Sequence, residues 1–155
     1  MQNFRRVLGD LVNTFELHSI ETRDASSLRT DRFYKIREWD PGRYQMLSDR
    51  YGFHVDLVQD LTFEITRAAN YVCDRVREYL DKSFRIPQGV LLVMRGAGMD
   101  LKEHTMRLEY KNGERTSEPY PGLKQFMQTH QARDFCVGEG THPAYEPMPR
   151  DRVVD

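Results

Sequence analysis

Cysteine is scarce: Cys73 and Cys136 are the two in 155 residues, and no C-x-x-C pair occurs. That spacing excludes a disulfide-stapled scaffold and a thiolate metal site of the usual kind, and it points to a reducing, cytoplasmic setting. Long apolar runs are also missing. Nothing approaches the roughly 18 to 20 residues that a membrane span needs, so no membrane partner is expected. The opening residues, MQNFRRVLGDLVNTF, are interrupted by Gly9, Asp10 and Asn13, so a secretory leader is not expected either. An excess of one charge is lacking as well. With 23 basic and 24 acidic residues the formal charge is −1, which argues against sequence-independent attraction to phosphate. Nucleic acid is an admitted but not a favoured partner. RGAG and GEG contain glycines, yet neither makes a phosphate-cradling motif, and no internal repeat or low-complexity segment is evident.

What is present suits one domain. A chain of 155 residues holds a single continuous core, read as residues 1–142 with an extended tail over 143–155 that carries three prolines and no periodicity. Hydrophobic residues at 39% against charged residues at 30% leave a large area that is either solvated or covered by a partner. Phe4, Val7, Leu8, Leu11, Val12 and Phe15, spaced three and four apart, predict an amphipathic first helix. Residues 19–32, SIETRDASSLRTDR, read as an exposed loop. FYKIREW, residues 33–39, fits a short strand or an aromatic-rich helical turn. Asp40 as a cap, Pro41 at the first helical position and Gly52 as a left-handed stop predict a short helix over 41–51.

The strongest element spans residues 54–80. Turning 100° per residue gathers Val58, Leu61, Ile65, Ala69, Val72, Val76, Tyr79 and Leu80 on one face, with Asp60, Glu64, Arg67, Asp74, Arg75 and Glu78 on another. A helix of about seven turns, roughly 40 Å long, is the expected spine. Its interleaved charges read as a solvated face. Phe63 falls outside the apolar face, near Thr66 and Asn70, and points to a second contact surface. Phe63, Arg67 and Tyr71 are accordingly the expected anchors for a protein partner or for self-association, because aromatics and arginine dominate interface energetics.

Pro87 closes that helix by biasing Ile86 away from helical angles, and Gly89 opens the next element. VLLVM, residues 90–94, reads as a strand covered on both faces. Residues 105–110 alternate, with Met106, Leu108 and Tyr110 toward a core and Thr105, Arg107 and Glu109 away from it. Asn112-Gly113 signals a hairpin, and ERTSE a charged edge strand. Leu123, Phe126 and Met127 predict a short helix packed on the sheet, and DFCVG a last short strand. The expected fold is α+β: a long central helix plus shorter N-terminal helices packed on a small, mainly antiparallel sheet of three to four strands.

Residues with chemical potential are few. Cys73 and Cys136 read as small buried side chains. His54 precedes the long helix, His18, His130 and His142 sit at element ends or in the tail, and none has a nucleophile in a recognisable motif beside it. DLKEH offers Asp100, Glu103 and His104 but lacks the H-E-x-x-H spacing. The exception is DLKEHTMRLEYK, residues 100–111, where an aspartate is followed nine positions later by Glu-x-Lys. Two apart on a strand, Glu109 and Lys111 share a face. The pattern resembles the PD-(D/E)xK nuclease family. That resemblance implies Asp100, Glu109 and Lys111 as catalytic residues, with Glu64, Asp100 and Glu109 as ligands for Mg²⁺. The sequence departs from it in carrying Met99 rather than proline before Asp100, and in placing Lys111 against the Asn-Gly turn. The alternation alone makes Arg107, Glu109 and Lys111 the wet face of a half-buried strand. Tyr44, Tyr51 and Phe53 with Arg43 and Arg50 also offer the aromatic and basic mixture that single-stranded nucleic acid requires. The favoured expectation is a non-catalytic, cofactor-free interaction or oligomerisation module in a larger assembly. The alternatives are the Mg²⁺-dependent nuclease and a small-ligand or nucleic-acid sensor domain.

Overall fold

The computed structural model describes residues 1–22, 26–84, 91–95, 104–111, 115 and 119–129. It is a mixed helix and strand protein in the order α1 (Gln2–Glu16), β1 (Ser19–Glu21), β2 (Leu28–Thr30), α2 (Pro41–Tyr79), β3 (Leu92–Arg95), β4 (His104–Arg107) and α3 (Leu123–Thr129). The long central helix expected from the sequence is there. The sheet is smaller than expected: β1 pairs with β2 and β3 with β4, both antiparallel, as two separate two-stranded sheets. The Asn112-Gly113 turn, DFCVG and the tail lie outside the described residues, as does most of ERTSE. No helix among the described residues is long and apolar enough to cross a membrane.

The largest departure from the sequence reading is at Gly52. The helix begins where Asp40 and Pro41 place it, with Asp40 Oδ1 accepting from the Arg43 amide at 3.0 Å. It then runs straight through Gly52 for 39 residues, about 58 Å at 1.5 Å per residue. A glycine ends a helix only when its φ turns positive, and Gly122 is the described glycine that does so. A helical glycine costs about 0.5–1 kcal/mol relative to alanine. Burial of Phe53 and Leu57 immediately beyond Gly52 offsets that cost, since each fully buried large apolar side chain contributes roughly 1.5–3 kcal/mol.

The helix does end near Leu80, as expected. Leu80 and Asp81 amides both donate to the Val76 carbonyl, and Asp81 Oδ1 accepts from the Ser83 amide and hydroxyl at 2.8 and 2.6 Å. This local turn offers the backbone an alternative to another helical turn.

α1 lies along α2, and the core between them contains Val7, Phe53, Leu57, Leu61, Tyr120 and Phe126, with Leu11, Ile65, Leu123 and Met127 against it. The short helix α3 therefore joins the helical pair rather than packing on a sheet. Gly122 starts it, accepting from the Phe126 amide at 2.9 Å with φ of 97°. Leu91 and Leu92, expected to be covered on both faces, are exposed. The loop expected over 19–32 contains the β1–β2 pair, and FYKIREW forms neither strand nor helix.

The charged stripe of α2 is also not a solvated face over its first half. Asp60, Glu64 and Arg67 are buried, as is Asn70. Glu64 Oε1 accepts from the Tyr110 hydroxyl at 2.7 Å, and its other oxygen lies 3.4 Å from Arg67 Nη1. The Tyr110 oxygen accepts from Asn3 Nδ2 at 3.3 Å, and Asn3 Oδ1 accepts from the Tyr120 amide at 3.1 Å. The Tyr120 hydroxyl donates to Asp10 Oδ2 at 2.8 Å, and burial together with that bond pushes its ionisation above the usual phenol range. Periodicity alone marks these residues as polar. The burial of Glu64 and Asn70 follows from partners that are distant in sequence, Tyr110 and the Leu91 and Leu108 backbones, because a buried polar group is tolerated when its hydrogen bonds are made.

Candidate ligand cavity

Continuity through Gly52 sets up a feature with binding geometry. On an unbroken helix, Arg43, Leu47, Arg50, His54 and Leu57 follow at spacings of four and three and so share one face. That face forms one wall of a cavity of about 310 Å³. Thr14, Leu17 and His18 close it from the end of α1, Phe33 and Ile36 from the following loop, and Leu123 and Met127 from α3. The volume lies at the lower end of the range of small-ligand sites. The Thr14 hydroxyl is committed to the Asp10 carbonyl at 2.6 Å, and the other polar residues of the lining are His18, His54, Arg43 and Arg50.

Two of them carry buried polar atoms with no hydrogen-bond partner among the described residues, Arg50 Nη2 and His54 Nε2. His54 is 6% exposed. Burial and the neighbouring His18 lower its pKa to about 4, so the imidazole is neutral at pH 7. His18 is shifted in the same direction, by burial and by the Arg50 charge, against a smaller opposing effect of Asp31. The His18 and His54 rings meet edge to face at 4.8 Å.

From the cavity wall outward the rings continue. His18 packs on Phe33 at 4.4 Å, Phe33 on Tyr51 at 5.8 Å, Tyr51 on Tyr34 at 4.9 Å, and Tyr34 on Tyr44 at 5.9 Å. Trp39, largely exposed, caps the series 5.5 Å from Tyr44. Such aromatic pairs, tilted or edge to face, contribute about 0.5–1.5 kcal/mol each beyond area burial. They give the irregular segment 33–39 a fixed position over the first turns of α2. The aromatic and basic cluster read from the sequence is thus divided: Tyr44 and Tyr51 belong to this outer series, Phe53 to the core, and Arg43 and Arg50 to the cavity wall.

Among the described residues, the carboxylates singled out for metal chemistry, Glu64 and Glu109, do not converge. Glu64 is buried against Tyr110, whereas Glu109, next to Tyr110 in sequence, is exposed and pairs with Arg107 at 2.5 Å and Arg115 at 3.6 Å. The two carboxylates therefore lie on opposite sides of the chain at that point. Lys111 is exposed, and Asp100 and Glu103 lie outside the described residues. Among the described residues no group of three or more His, Cys, Asp or Glu side chains is placed to hold a metal ion. Cys73 is a half-buried free thiol.

The expected interaction anchors are mostly interior. Phe63 and Arg67 are 5% and 7% exposed. They share a face with Asn70, whose amide meets the Leu91 and Leu108 backbones, so at Asn70 the second contact surface of α2 is occupied by the chain itself. Tyr71 is half-buried, 5.9 Å from the Tyr110 ring and 5.1 Å from the Arg75 guanidinium.

Sequence reasoning treated His18 and His54 as unremarkable and passed over the cavity. The signal was the spacing Arg43, Leu47, Arg50, His54, Leu57, which splitting the helix at Gly52 conceals. Comparison with protein families, with curated proteins and with solved structures finds no match.

Proposed function

We propose that the chain is a non-catalytic small-ligand-binding module, a sensor or carrier whose site is the cavity between α1, the 33–39 segment, α2 and α3. The cavity itself supports this reading: about 310 Å³ walled mainly by Leu17, Phe33, Ile36, Leu47, Leu57 and Met127. An apolar space of that size contains room for about ten non-hydrogen atoms, taking the roughly 30 Å³ share of one water molecule per atom. Ligand binding to the folded state alone raises its stability, by about 2.7 kcal/mol at a hundredfold excess over Kd. Thermal denaturation with octan-1-ol and with octanoate, each of about that size, tests the reading. A saturable rise in midpoint with either probe is expected. No rise with either, at concentrations up to several millimolar, contradicts it.

The reading as an interaction module keeps its own support. Leu8 and Val12, one turn apart on α1, are 41% and 42% exposed, and Tyr79 and Leu80 stand exposed at the end of α2. Native mass spectrometry tests it: a defined oligomer is expected, and a monomer at all concentrations contradicts it. Because Phe63 is interior, Leu8→Asp is the more informative substitution for dissociating such an oligomer.

A further inference from the structure

We infer that the chain forms a two-fold dimer in which the α2 helices of two copies pack antiparallel along the strip from Val58 to Leu80. This rests on the reading as an interaction module and adds the face and the partner.

Over its second half α2 is inverted. A surface helix ordinarily turns its charges to water and its apolar stripe inward. Here Asp60, Glu64 and Arg67 are buried, and Asp74 is held by Arg77 and by Arg107 of β4 at 2.6 and 2.9 Å. The apolar residues are the ones left open. Val58, Thr62, Ile65, Ala69, Val72 and Val76 follow at alternating steps of four and three, and none of them is buried. Leu80, one turn further on, is 81% exposed. At 100° per residue the strip lies within about 60° of Ala69, and Thr66 and Cys73 are its remaining members, so no charged side chain falls on it. The core reaches along α2 to Leu61, with Ile65 against its edge. α1, 15 residues against 39, spans about 22 Å of a helix about 58 Å long.

A second copy of α2 is the occupant that this strip fits. Alternating steps of four and three are the seam of a coiled coil, which accepts a helix with the same repeat. The absence of charge lets the strip face itself without like-charge contact, and gives a charged peptide or a nucleic acid nothing to pair with. The order of side-chain sizes suits a two-fold axis, which brings together positions equidistant from it. An axis at Ala69 matches Thr62 with Val76, Ile65 with Cys73 and Val58 with Leu80, one residue of each pair from either copy. The smallest side chain of the strip then stands where the two helices cross, and interaxial distance follows the side chains at the contact.

Sedimentation equilibrium of the full chain across the micromolar range tests the contact, and a dimer is expected. Val72→Asp brings an unpaired carboxylate into the seam from each copy and is expected to weaken the dimer about a hundredfold or more, with helix content by circular dichroism unchanged. Thr62→Cys and Val76→Cys, each made together with Cys73→Ser and Cys136→Ser, test the direction. Mild oxidation is expected to cross-link a mixture of the two and neither alone, because an antiparallel pair centred on Ala69 separates each position from its own copy by roughly 21 Å. Cross-linking of each variant alone overturns the antiparallel arrangement. A dimer that Leu8→Asp dissociates and Val72→Asp leaves intact overturns the α2 strip and leaves the interaction-module reading standing. A monomer at every concentration overturns both. Absence of cross-linking from the mixture overturns the contact even where Val72→Asp fails to fold.

Discussion

Asn70 carries the attachment of the second strand pair to the long helix, and its removal has a calculable cost. Its side-chain amide is almost fully buried. Oδ1 accepts from the Leu91 amide at 2.8 Å, and Nδ2 donates to the Leu91 carbonyl at 3.0 Å and to the Leu108 carbonyl at 2.9 Å. One side chain thus satisfies three backbone groups from the segments that carry β3 and β4. Asn70→Ala removes all three bonds. At about 1 kcal/mol each for net hydrogen-bond contribution, the expected loss is about 3 kcal/mol, or about 6–12 °C in midpoint for a chain of this size. Asn70→Asp keeps the acceptor for Leu91 and loses both donors while facing two carbonyl oxygens with a carboxylate, so its loss should be at least as large. Urea denaturation followed by circular dichroism measures both. A change below about 0.5 kcal/mol for Asn70→Ala, the range of ordinary surface substitutions, would refute the claim that this residue clasps the strands to α2.

Other consequences follow from particular positions. Gly52→Ala should stabilise by about 0.5–1 kcal/mol, since a methyl there meets nothing within 4 Å and the backbone is helical; a loss of stability would contradict the unbroken helix. Gly122→Ala should destabilise by about 1–2 kcal/mol, because its φ is +97° and a Cβ would stand 3.1 Å from Arg6 Nη2. The pH dependence has a definite sign. His54 has its pKa lowered to about 4 in the folded chain against an ordinary value near 6.5, so between those values the unfolded chain binds more protons. The His54 contribution is complete above about pH 6.5 and declines as pH falls toward 4, with His18 acting in the same sense. Urea midpoints between pH 7.5 and 4.5 should show this decline, and His54→Gln should flatten it. An equal decline in that variant would assign the effect to other groups.

Much of this architecture was legible where local chemistry decides it. Asp40 and Pro41 mark the start of α2, the apolar spacing of α1 and α3 marks both helices, and the alternation of Leu108, Glu109 and Tyr110 matches their buried, exposed and buried placement. The failures share a cause. Gly52 was weighed by its own preference, whereas the burial of Phe53 and Leu57 beyond it carries the helix onward. Glu64 and Asn70 were weighed as polar residues, whereas Tyr110, Leu91 and Leu108, distant in sequence, make their burial tolerable. The cavity suffered from both errors, because it needs an unbroken α2 and four segments brought together. No local pattern announces either condition.

The central claim is that the space between α1, the 33–39 segment, α2 and α3 takes up a small apolar ligand. Methyl-resolved NMR of the full chain during titration with octan-1-ol tests it most directly. The account predicts saturable shifts at Leu47, Leu57, Leu123 and Met127, which line the cavity, with Leu80 and Val72 unmoved. Shifts at the exposed Leu80, or none at the cavity methyls, would contradict it.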